Sequence, residues 1–362
     1  MSSGSLATPV SLRDSHCPSC FLLRVNPVGS FLCHLLGDNP QKWRPLLSVY
    51  YLTYACSLRC PYCCDGSGRP YYQLDRKALP ASRIGELLRI VRRHSEHLVV
   101  TGGEPSEHPE CAAVLDDLAA LRFRSVILTT NGRTLDTLLP AVQRSVTHLV
   151  VSLQTLDSAR ADSWYGHGAG THARVLANLE RAAALPGRRF EIILSSVVTP
   201  ENIPDLHEVY RFAKACGFRL AACPQLVGTK AHAGLVDNPE YRAFYDLLIS
   251  EKRRGGSIQG TVDYLEYLRD LRKFSCRPFT MLVVSPVGEV FYPCLELGQS
   301  AGNLLDEPDL HRLRRAGCER FGPQPACDNR CHSACALGFS RLLANPASML
   351  HEAALVARSW LA

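Results

Sequence analysis

Residues 48–63 read SVYYLTYACSLRCPYC, a short apolar segment that runs directly into three cysteines. The first part, Ser48–Tyr54, is rich in β-branched and aromatic residues, which favours a buried strand. Cys56, Cys60 and Cys63 follow with the spacing C-x3-C-x2-C. Three thiolates on a loop at the end of a strand can bind one face of an iron–sulfur cube and leave its fourth iron open to a ligand. The alternatives are a zinc site, although zinc favours C-x2-C pairs, or buried cysteines that bind no metal.

Apolar runs of the same kind recur along the chain and alternate with helical patterns. The further predicted strands are Leu98–Thr101, Ser125–Thr129, His148–Ser152, Phe190–Val197 and Phe218–Cys223. The predicted helices are Ser82–His94, Pro109–Leu121, Thr134–Arg144, His172–Leu185 and Pro204–Cys216. Short continuous apolar strands that alternate with helices indicate a parallel sheet in an α/β fold. We therefore predict a partial (β/α)6 TIM-like barrel, with its chemistry at the C-terminal ends of the strands.

The pattern changes after residue 225. Helices are predicted at Asn238–Arg254 and Asp263–Lys273, and strands at Phe279–Ser285 and Glu289–Tyr292 flank Pro286-Val287-Gly288, a hairpin signal. The chain thus divides into three parts. These are an N-terminal cysteine-containing extension (1–47), the partial barrel (48–225), and a C-terminal region (226–362) of linker helices and a small hairpin-plus-helix extension.

The composition excludes several classes of protein. With 46% hydrophobic and 20% charged residues in 362, the chain is globular and not disordered. No apolar run reaches the roughly 18 residues of a membrane span, and residues 1–10 lack the features of a signal peptide. We expect a cytoplasmic protein whose 16 cysteines stay reduced. The net charge of +6 is spread over basic helix faces, which we interpret as solvated surfaces, and no nucleic-acid partner is expected.

A second motif lies at the end of the second predicted strand, where Gly102-Gly103-Glu104-Pro105 follows Thr101. Glycines let backbone groups approach a ligand closely, and a carboxylate can accept a hydrogen bond from an ammonium. In isolation this motif could be no more than a tight turn. Together with the cysteine triad and Tyr62 before its third cysteine, however, it resembles the radical S-adenosylmethionine (radical SAM) family over about residues 45–225.

The resemblance implies a set of ligand roles. Cys56, Cys60 and Cys63 would hold a [4Fe–4S] cluster whose open iron is chelated by S-adenosylmethionine. The backbone around Gly102, Gly103 and Glu104 would hold the methionine ammonium, and Tyr62 would lie near the adenine. The remaining candidates sit at strand ends, where they could instead simply satisfy the backbone; they are Ser152 and Gln154, with Asn131 and Ser196 as weaker choices.

The C-terminal cysteines form a second group. Cys276 and Cys294 bracket the predicted hairpin, and Cys327, Cys331 and Cys335 follow. This arrangement resembles the SPASM/twitch extension of radical SAM enzymes, which carries auxiliary iron–sulfur clusters. One auxiliary [4Fe–4S] cluster is expected rather than two, with Cys276, Cys294, Cys331 and Cys335 as favoured ligands and Cys327 next. Buried structural cysteines are the alternative.

Other cysteines leave further questions open. Cys223, at the end of the sixth strand, and Cys327 are candidates for donating a hydrogen atom to a substrate radical, which would give an epimerisation; an auxiliary cluster that accepts an electron would give an oxidation. Near the N-terminus, Cys17, Cys20, Cys33 and His34 could hold a mononuclear zinc or iron ion, or could pack without a metal.

Three functions are compared. The leading hypothesis, from the resemblance, is an enzyme that reductively cleaves S-adenosylmethionine and abstracts a hydrogen atom from a small molecule such as a sugar, an aminocyclitol or a natural-product intermediate. The second is a SPASM-type peptide or protein maturase, although the residues before the first strand do not show a winged-helix peptide-recognition domain. The third is an iron–sulfur electron-transfer protein without catalysis. An electron donor such as flavodoxin or ferredoxin is expected as a partner.

Overall fold

The structure of this protein is a computed structural model. It describes residues 27–36, 42–65, 67–323 and 331–348. Several residues that carry predictions lie outside that description, namely Cys17, Cys20, Cys327 and the side chain of Cys335.

The centre of the protein is a nine-stranded sheet, and six of its strands belong to the predicted barrel. Helix α1 (Pro27–Leu36) precedes them. The six are β1 (Leu47–Thr53), β2 (His97–Gly102), β3 (Ser125–Thr130), β4 (His148–Ser152), β5 (Glu191–Val198) and β6 (Arg219–Pro224). They lie side by side in chain order, and each neighbouring pair is parallel. This order confirms the predicted α/β fold.

Helices connect the strands. They are α2 (Ala81–His94), α3 (Cys111–Leu121), α4 (Leu139–Ser145), α5 (Ser158–Tyr165), α6 (Thr171–Ala183) and α7 (Ile203–Ala215). In α2, the residues Ile84, Leu87, Leu88 and Val91 recur at helical spacing and are fully buried. Burial of this apolar stripe against the sheet is what stabilises the helix, since short helices are marginal alone in water.

Side chains along each strand alternate between an outer face, which the helices cover, and an inner face. A Cβ atom added at Gly132 would lie 3.2 Å from Val151 of β4 and 3.3 Å from Val175 of α6, so Val151 faces the helices. Successive side chains of a strand point to opposite faces. Val150 and Ser152 therefore lie on the inner face, where they are only partly covered.

The C-terminal region adds strands and helices to this core. It contains β7 (Leu226–Val227), β8 (Lys230–Ala231), α8 (Pro239–Arg253), α9 (Val262–Arg269), β9 (Met281–Val284), β10 (Glu289–Phe291), β11 (Ser300–Asn303), α10 (Leu310–Phe321) and α11 (Ala334–Ala344). The predicted hairpin is present, since β10 is antiparallel to β9. β9 is also parallel to β1, which fuses the extension to the barrel sheet.

The sheet is open within the described part of the chain. Its order is β11-β10-β9-β1-β2-β3-β4-β5-β6, so β6 stands at one edge and no described strand joins it to β1. No helix of the described ranges has the length and apolar character that crossing a bilayer requires.

Two helical segments of the barrel differ from the prediction. The helix predicted over Thr134–Arg144 is a 3-10 turn at Leu135–Thr137 followed by α4, because Pro140 lacks an N–H and suits the first turn of a new helix. Helix α5 was missed. Its N-cap Asp157 accepts a hydrogen bond from the backbone N–H of Arg160 at 3.0 Å, and Gly166 follows its end.

Candidate functional site

The three cysteines follow β1 on a loop that the rest of the protein holds in place. The backbone N–H of Arg59 donates to the carbonyl of Tyr165 at 2.8 Å, so the end of α5 supports the loop. The Arg59 guanidinium donates to the carbonyls of Cys56 at 2.7 Å and Leu58 at 3.0 Å, which closes the first turn between the cysteines. The missed helix α5 is therefore part of the site's scaffold.

The two glycines after β2 pack directly against this loop. The N–H groups of Gly103 and Glu104 donate to the carbonyls of Thr53 and Ala55, each at 2.8 Å. A Cβ atom at Gly102 would lie 2.2 Å from the Thr53 carbonyl oxygen, and one at Gly103 would lie 2.5 Å from the Ala55 oxygen. Only glycine allows this approach of two backbones, and so the motif fixes the start of the cysteine loop.

The Glu104 carboxylate is fully buried and joins β2 to β3. It accepts hydrogen bonds from the Ser106 N–H at 3.1 Å and hydroxyl at 2.7 Å, the Thr130 hydroxyl at 2.8 Å and the Asn131 N–H at 2.6 Å. Burial raises the pKa of Glu104, and these donors oppose that effect. The carboxylate already accepts four hydrogen bonds from the protein. An ammonium would therefore bind to backbone groups of this motif and not to the Glu104 side chain.

Glu107 is a residue of the site that was not predicted from the sequence. Its carboxylate accepts a hydrogen bond from the Ser57 N–H, next to Cys56, at 2.7 Å. It also lies 3.6 Å from the guanidinium of Arg133, which follows β3. Glu107 therefore links the cysteine loop to the end of the third strand. The sequence feature that could have indicated this role is a second carboxylate three residues after Glu104.

Two buried amide atoms at the strand ends have no hydrogen-bond partner among the described residues. They are Nδ2 of Asn131, directly after β3, and Oε1 of Gln154, just after β4. Buried polar atoms are nearly always paired, so these two atoms are available to a ligand. One donor and one acceptor suit the polar amino-acid and ribose groups of S-adenosylmethionine, and this chemistry fits the predicted cofactor.

The serines at the strand ends are placed differently from each other. Ser152 lies on the inner face beside its register partner Ser195. Ser196, the predicted candidate, lies on the buried outer face, where its hydroxyl donates to the Leu153 carbonyl at 2.6 Å. Side chains alternate between the two faces along a strand, and this corrects the prediction for Ser196. Ser195 is the serine of β5 that lies on the inner face.

The three thiols of the triad are the candidate ligands of a cluster. Burial raises the pKa of all three, to about 12 for Cys56 and Cys63, so nearby positive charge is needed to hold them as thiolates. The described residues contain no set of three His, Cys, Asp or Glu side chains arranged around one metal ion. A cubane takes three thiolates on three different irons, and this loop supplies three thiols within eight residues. The donor set therefore fits an iron–sulfur cube.

Tyr62 lies within the site. Its hydroxyl lies close enough to the sulfur of Cys60 to lower the pKa of that thiol, and burial raises the pKa of Tyr62 well above its usual value. Its ring meets that of Trp164 in α5 edge-on, with centroids 6.1 Å apart. Hydrogen bonds to ligand sulfurs tune cluster potentials, so Tyr62 contacts a cluster ligand in addition to its predicted place near the adenine.

The C-terminal cysteines that the structure describes lie on neighbouring elements. Cys276 packs against Met281 and Val283 of β9. Cys294 lies within electrostatic reach of Cys331, which is buried, and burial raises the pKa of Cys294. Backbone groups of Leu297 and Ser333 provide hydrogen bonds to the sulfurs of Cys294 and Cys331, the latter at 3.4 Å.

The other predicted cysteines of the described ranges lie in different surroundings. Cys223 is half-buried on β6, and its sulfur lies 3.9 Å from the carbonyl oxygen of Ser196. Cys33 is exposed, with its sulfur 2.9 Å from the guanidinium of Arg44, and the His34 ring contacts the Arg44 carbonyl at 2.8 Å. Among the described residues, no group of side chains that could hold a metal ion forms around Cys33 and His34.

Comparisons with known proteins agree with this geometry. The family model "Radical SAM superfamily" matches residues 50–213, from β1 into α7. Molybdenum cofactor biosynthesis protein 1 of Bos taurus is 36% identical over 139 residues, 37% of this chain and 21% of that protein. PqqA peptide cyclase of Gluconobacter oxydans is 26% identical over 178 residues, 48% of this chain and 47% of that protein. The chain thus spans about a fifth to a half of the length of these relatives.

Solved structures share the fold over most of the chain. Streptococcus suis SuiB bound to the precursor peptide SuiA superposes with a TM-score of 0.61 at 19% identity, covering 86% of this chain and 73% of that one. The match of the family model covers the strand, the cysteine loop and the glycine motif that build the site, so residues 50–213 of this chain carry a radical SAM superfamily domain.

Proposed function

We propose that this protein is a peptide-modifying radical SAM enzyme. The observation that carries the cofactor assignment is the pair of unpartnered buried atoms, Asn131 Nδ2 and Gln154 Oε1, at the strand ends that follow the glycine motif. A [4Fe–4S] cluster on Cys56, Cys60 and Cys63 and S-adenosylmethionine would together supply a 5′-deoxyadenosyl radical for abstraction of a hydrogen atom from the substrate. This chain's residues bind, orient and shield those groups.

Each part of the site has a separate task in this proposal. Gly102 and Gly103 have no side chain, so the cofactor and the cysteine loop can both contact the backbone at these two residues. Glu104 and Glu107 hold the loops after β1, β2 and β3 in fixed positions. The inner face of the sheet, with Ser152 and Ser195, lines the space in which a substrate is kept away from water.

The comparisons support a peptide substrate better than the small sugar or aminocyclitol of the leading sequence hypothesis. A relative is a peptide cyclase, and a structural neighbour was solved with a precursor peptide. Cofactor biosynthesis is the second candidate, because the relative from Bos taurus is a molybdenum cofactor biosynthesis protein. Oxidation and epimerisation both remain open outcomes, with Cys223 and Cys327 as predicted hydrogen-atom donors.

An auxiliary [4Fe–4S] cluster in a SPASM-like extension is part of the proposal. Its support is the proximity of Cys294 to Cys331, the backbone hydrogen bonds to both sulfurs, and the parallel pairing of β9 with β1. Cys276, Cys294, Cys331 and Cys335 are the proposed ligands, with Cys327 next. The mononuclear metal near the N-terminus and the flavodoxin or ferredoxin partner stay predictions.

Anaerobic reconstitution tests the proposal. The reduced protein with S-adenosylmethionine is expected to form 5′-deoxyadenosine, and replacement of Cys56, Cys60 and Cys63 by Ala together is expected to abolish it. About four irons should remain in that variant if one auxiliary cluster is present. Cys216→Ala, at an exposed position after α7, is the matched control and should behave as wild type. Loss of all iron in the triple variant would reject the auxiliary cluster.

The substrate class needs a separate measurement. Short peptides encoded beside the gene are incubated with the reconstituted enzyme and analysed by mass spectrometry, and metabolites are compared with and without the gene. A mass change in a peptide that depends on S-adenosylmethionine is the expected result. A change confined to a small molecule would reject the peptide assignment and leave the radical SAM assignment intact.

A further inference from the structure

A cleft of about 410 Å³ lies between the segment that follows the cysteine loop and the turn that follows Cys294. One wall comes from Tyr54, which lies two residues before Cys56, and from Asp65, Ser67, Arg69, Tyr71, Leu74 and Asp75. The other wall comes from Phe291 at the end of β10 and from residues 295–298. The cleft therefore opens between the two cysteine-bearing parts of the chain.

Tyrosine rings run from the cleft to the inner face of the sheet. Tyr71, in the cleft wall, stacks on Tyr51 of β1 with centroids 6.0 Å apart and an interplanar angle of 14°. Tyr54 lies 6.0 Å from the same Tyr71 ring. Phe291 and Leu295 pack on the apolar cluster of β9 that also receives Tyr51. The floor of the cleft is thus aromatic and continuous with the space we assign to the substrate.

The charged groups around this floor are mainly acidic. Asp65, Asp75 and Glu296 line the cleft, and Arg69 is its one lining cation among the described residues. Arg69 is held by Asp65, whose carboxylate accepts from its N–H at 2.9 Å and from its guanidinium at 3.4 Å. This pair is internally neutral.

Asp75 and Glu296 are the other two carboxylates of the cleft. The Asp75 side chain is 72% exposed, and its ion pair with the ammonium of Lys77 at 3.8 Å is weak because both groups are in contact with solvent. Glu296 lies two residues after Cys294. Aromatic faces combined with carboxylates attract cations, because the ring face is electron-rich and the carboxylate is an acceptor.

We propose that this cleft binds a basic side chain of the peptide substrate, a lysine ammonium or an arginine guanidinium. The inference rests on the proposed peptide-modifying function and names the subsite that anchors the peptide. A side chain held here would sit between Tyr71, near the cysteine loop, and Glu296, beside Cys294. The neighbouring residues of the peptide would then be directed toward the inner face.

The test uses the full chain and two acetylated, amidated pentapeptides, Gly-Gly-Lys-Gly-Gly and its norleucine counterpart. Binding is measured by NMR titration at low and at physiological ionic strength, without S-adenosylmethionine. The lysine peptide is expected to bind more tightly than the norleucine peptide. Asp75→Asn and Tyr71→Leu are each expected to reduce that preference about two-fold to five-fold. Glu208→Gln, which removes an exposed carboxylate of α7, should leave the preference unchanged.

Equal binding of the two peptides would overturn the inference, and so would a lysine preference that survives both Asp75→Asn and Tyr71→Leu. Because Asp75 is exposed, its variant keeps the test valid even if Tyr71→Leu fails to fold. The formation of 5′-deoxyadenosine is measured separately on the same samples. A protein that forms it without the lysine preference would refute the cleft assignment alone.

Discussion

The Glu107 carboxylate accepts a hydrogen bond from the Ser57 N–H at 2.7 Å and so ties the turn after β2 to the cysteine loop. Glu107→Ala is expected to lower iron retention and activity about ten-fold, since partners that orient metal ligands typically have effects of this size. The measurement is iron per protein after reconstitution and gel filtration. Glu107→Gln keeps an acceptor and should recover most of the iron. Full iron retention in Glu107→Ala would contradict the positioning role.

Gly103 is expected to tolerate no side chain. A Cβ atom there would lie 2.5 Å from the carbonyl oxygens of Tyr54 and Ala55, both backbone atoms that cannot move aside cheaply. Gly103→Ala should therefore disturb the cysteine loop and lower both cluster content and 5′-deoxyadenosine formation by more than about ten-fold. Gly338→Ala in α11, where the nearest atoms are at 3.9 Å, is the control and should change neither quantity. Wild-type cluster content in Gly103→Ala would refute the close-packing account.

Asn131→Asp is designed to change one atom at the predicted cofactor site. It keeps the Oδ1 acceptor for the Arg133 N–H, which is 2.9 Å away, and replaces the unpartnered Nδ2 donor by oxygen. Binding of S-adenosylmethionine, measured by equilibrium dialysis on the reconstituted protein, should weaken about ten-fold. The melting temperature of the variant is measured in parallel, because the Asp carboxylate adds a negative charge at a buried atom near Glu104. Unchanged affinity would remove Asn131 from the site.

Asp270 gives a prediction for acid stability. The guanidinium groups of Arg269, Arg272 and Arg242 surround its carboxylate, and the hydrogen bonds from Arg269 are the largest cause that lowers the pKa of Asp270 to about 2. A lowered carboxyl pKa stabilises the folded state above the unfolded value near 3.8, and this contribution is lost as the pH falls toward 2.

Asp270→Asn should therefore be less stable than wild type at pH 7, by about 1 kcal/mol after allowance for solvent screening. The difference in free energy of unfolding should shrink between pH 4 and pH 2. Urea unfolding of both proteins across that range is the measurement. A difference that is constant with pH would show that the carboxylate charge contributes nothing.

Much of the fold followed from local patterns. The six strands were predicted within a few residues because each is a short apolar run, and the hairpin was predicted from Pro286-Val287-Gly288. The parallel pairing of β9 with β1 could not be predicted, because it joins segments more than 200 residues apart. Helix α5 was missed because its eight residues show little apolar periodicity, although Asp157 and Gly166 marked its ends.

The site was predictable where its chemistry is local. The cysteine triad and the glycine motif each lie within one loop. Three contacts were missed because they depend on which loops meet, namely those of Glu107, Arg59 and Trp164. Ser196 was predicted in place of Ser195 because one residue of register decides which face of β5 a side chain occupies.

The central claim is that Cys56, Cys60 and Cys63 hold a cluster to which S-adenosylmethionine binds directly. The most direct measurement is the EPR spectrum of the reduced, reconstituted protein with and without S-adenosylmethionine. We predict that the cofactor changes the cluster signal in wild type and that Cys60→Ala abolishes this change. A wild-type spectrum that is unaffected by S-adenosylmethionine, or a change that persists in Cys60→Ala, would contradict the account.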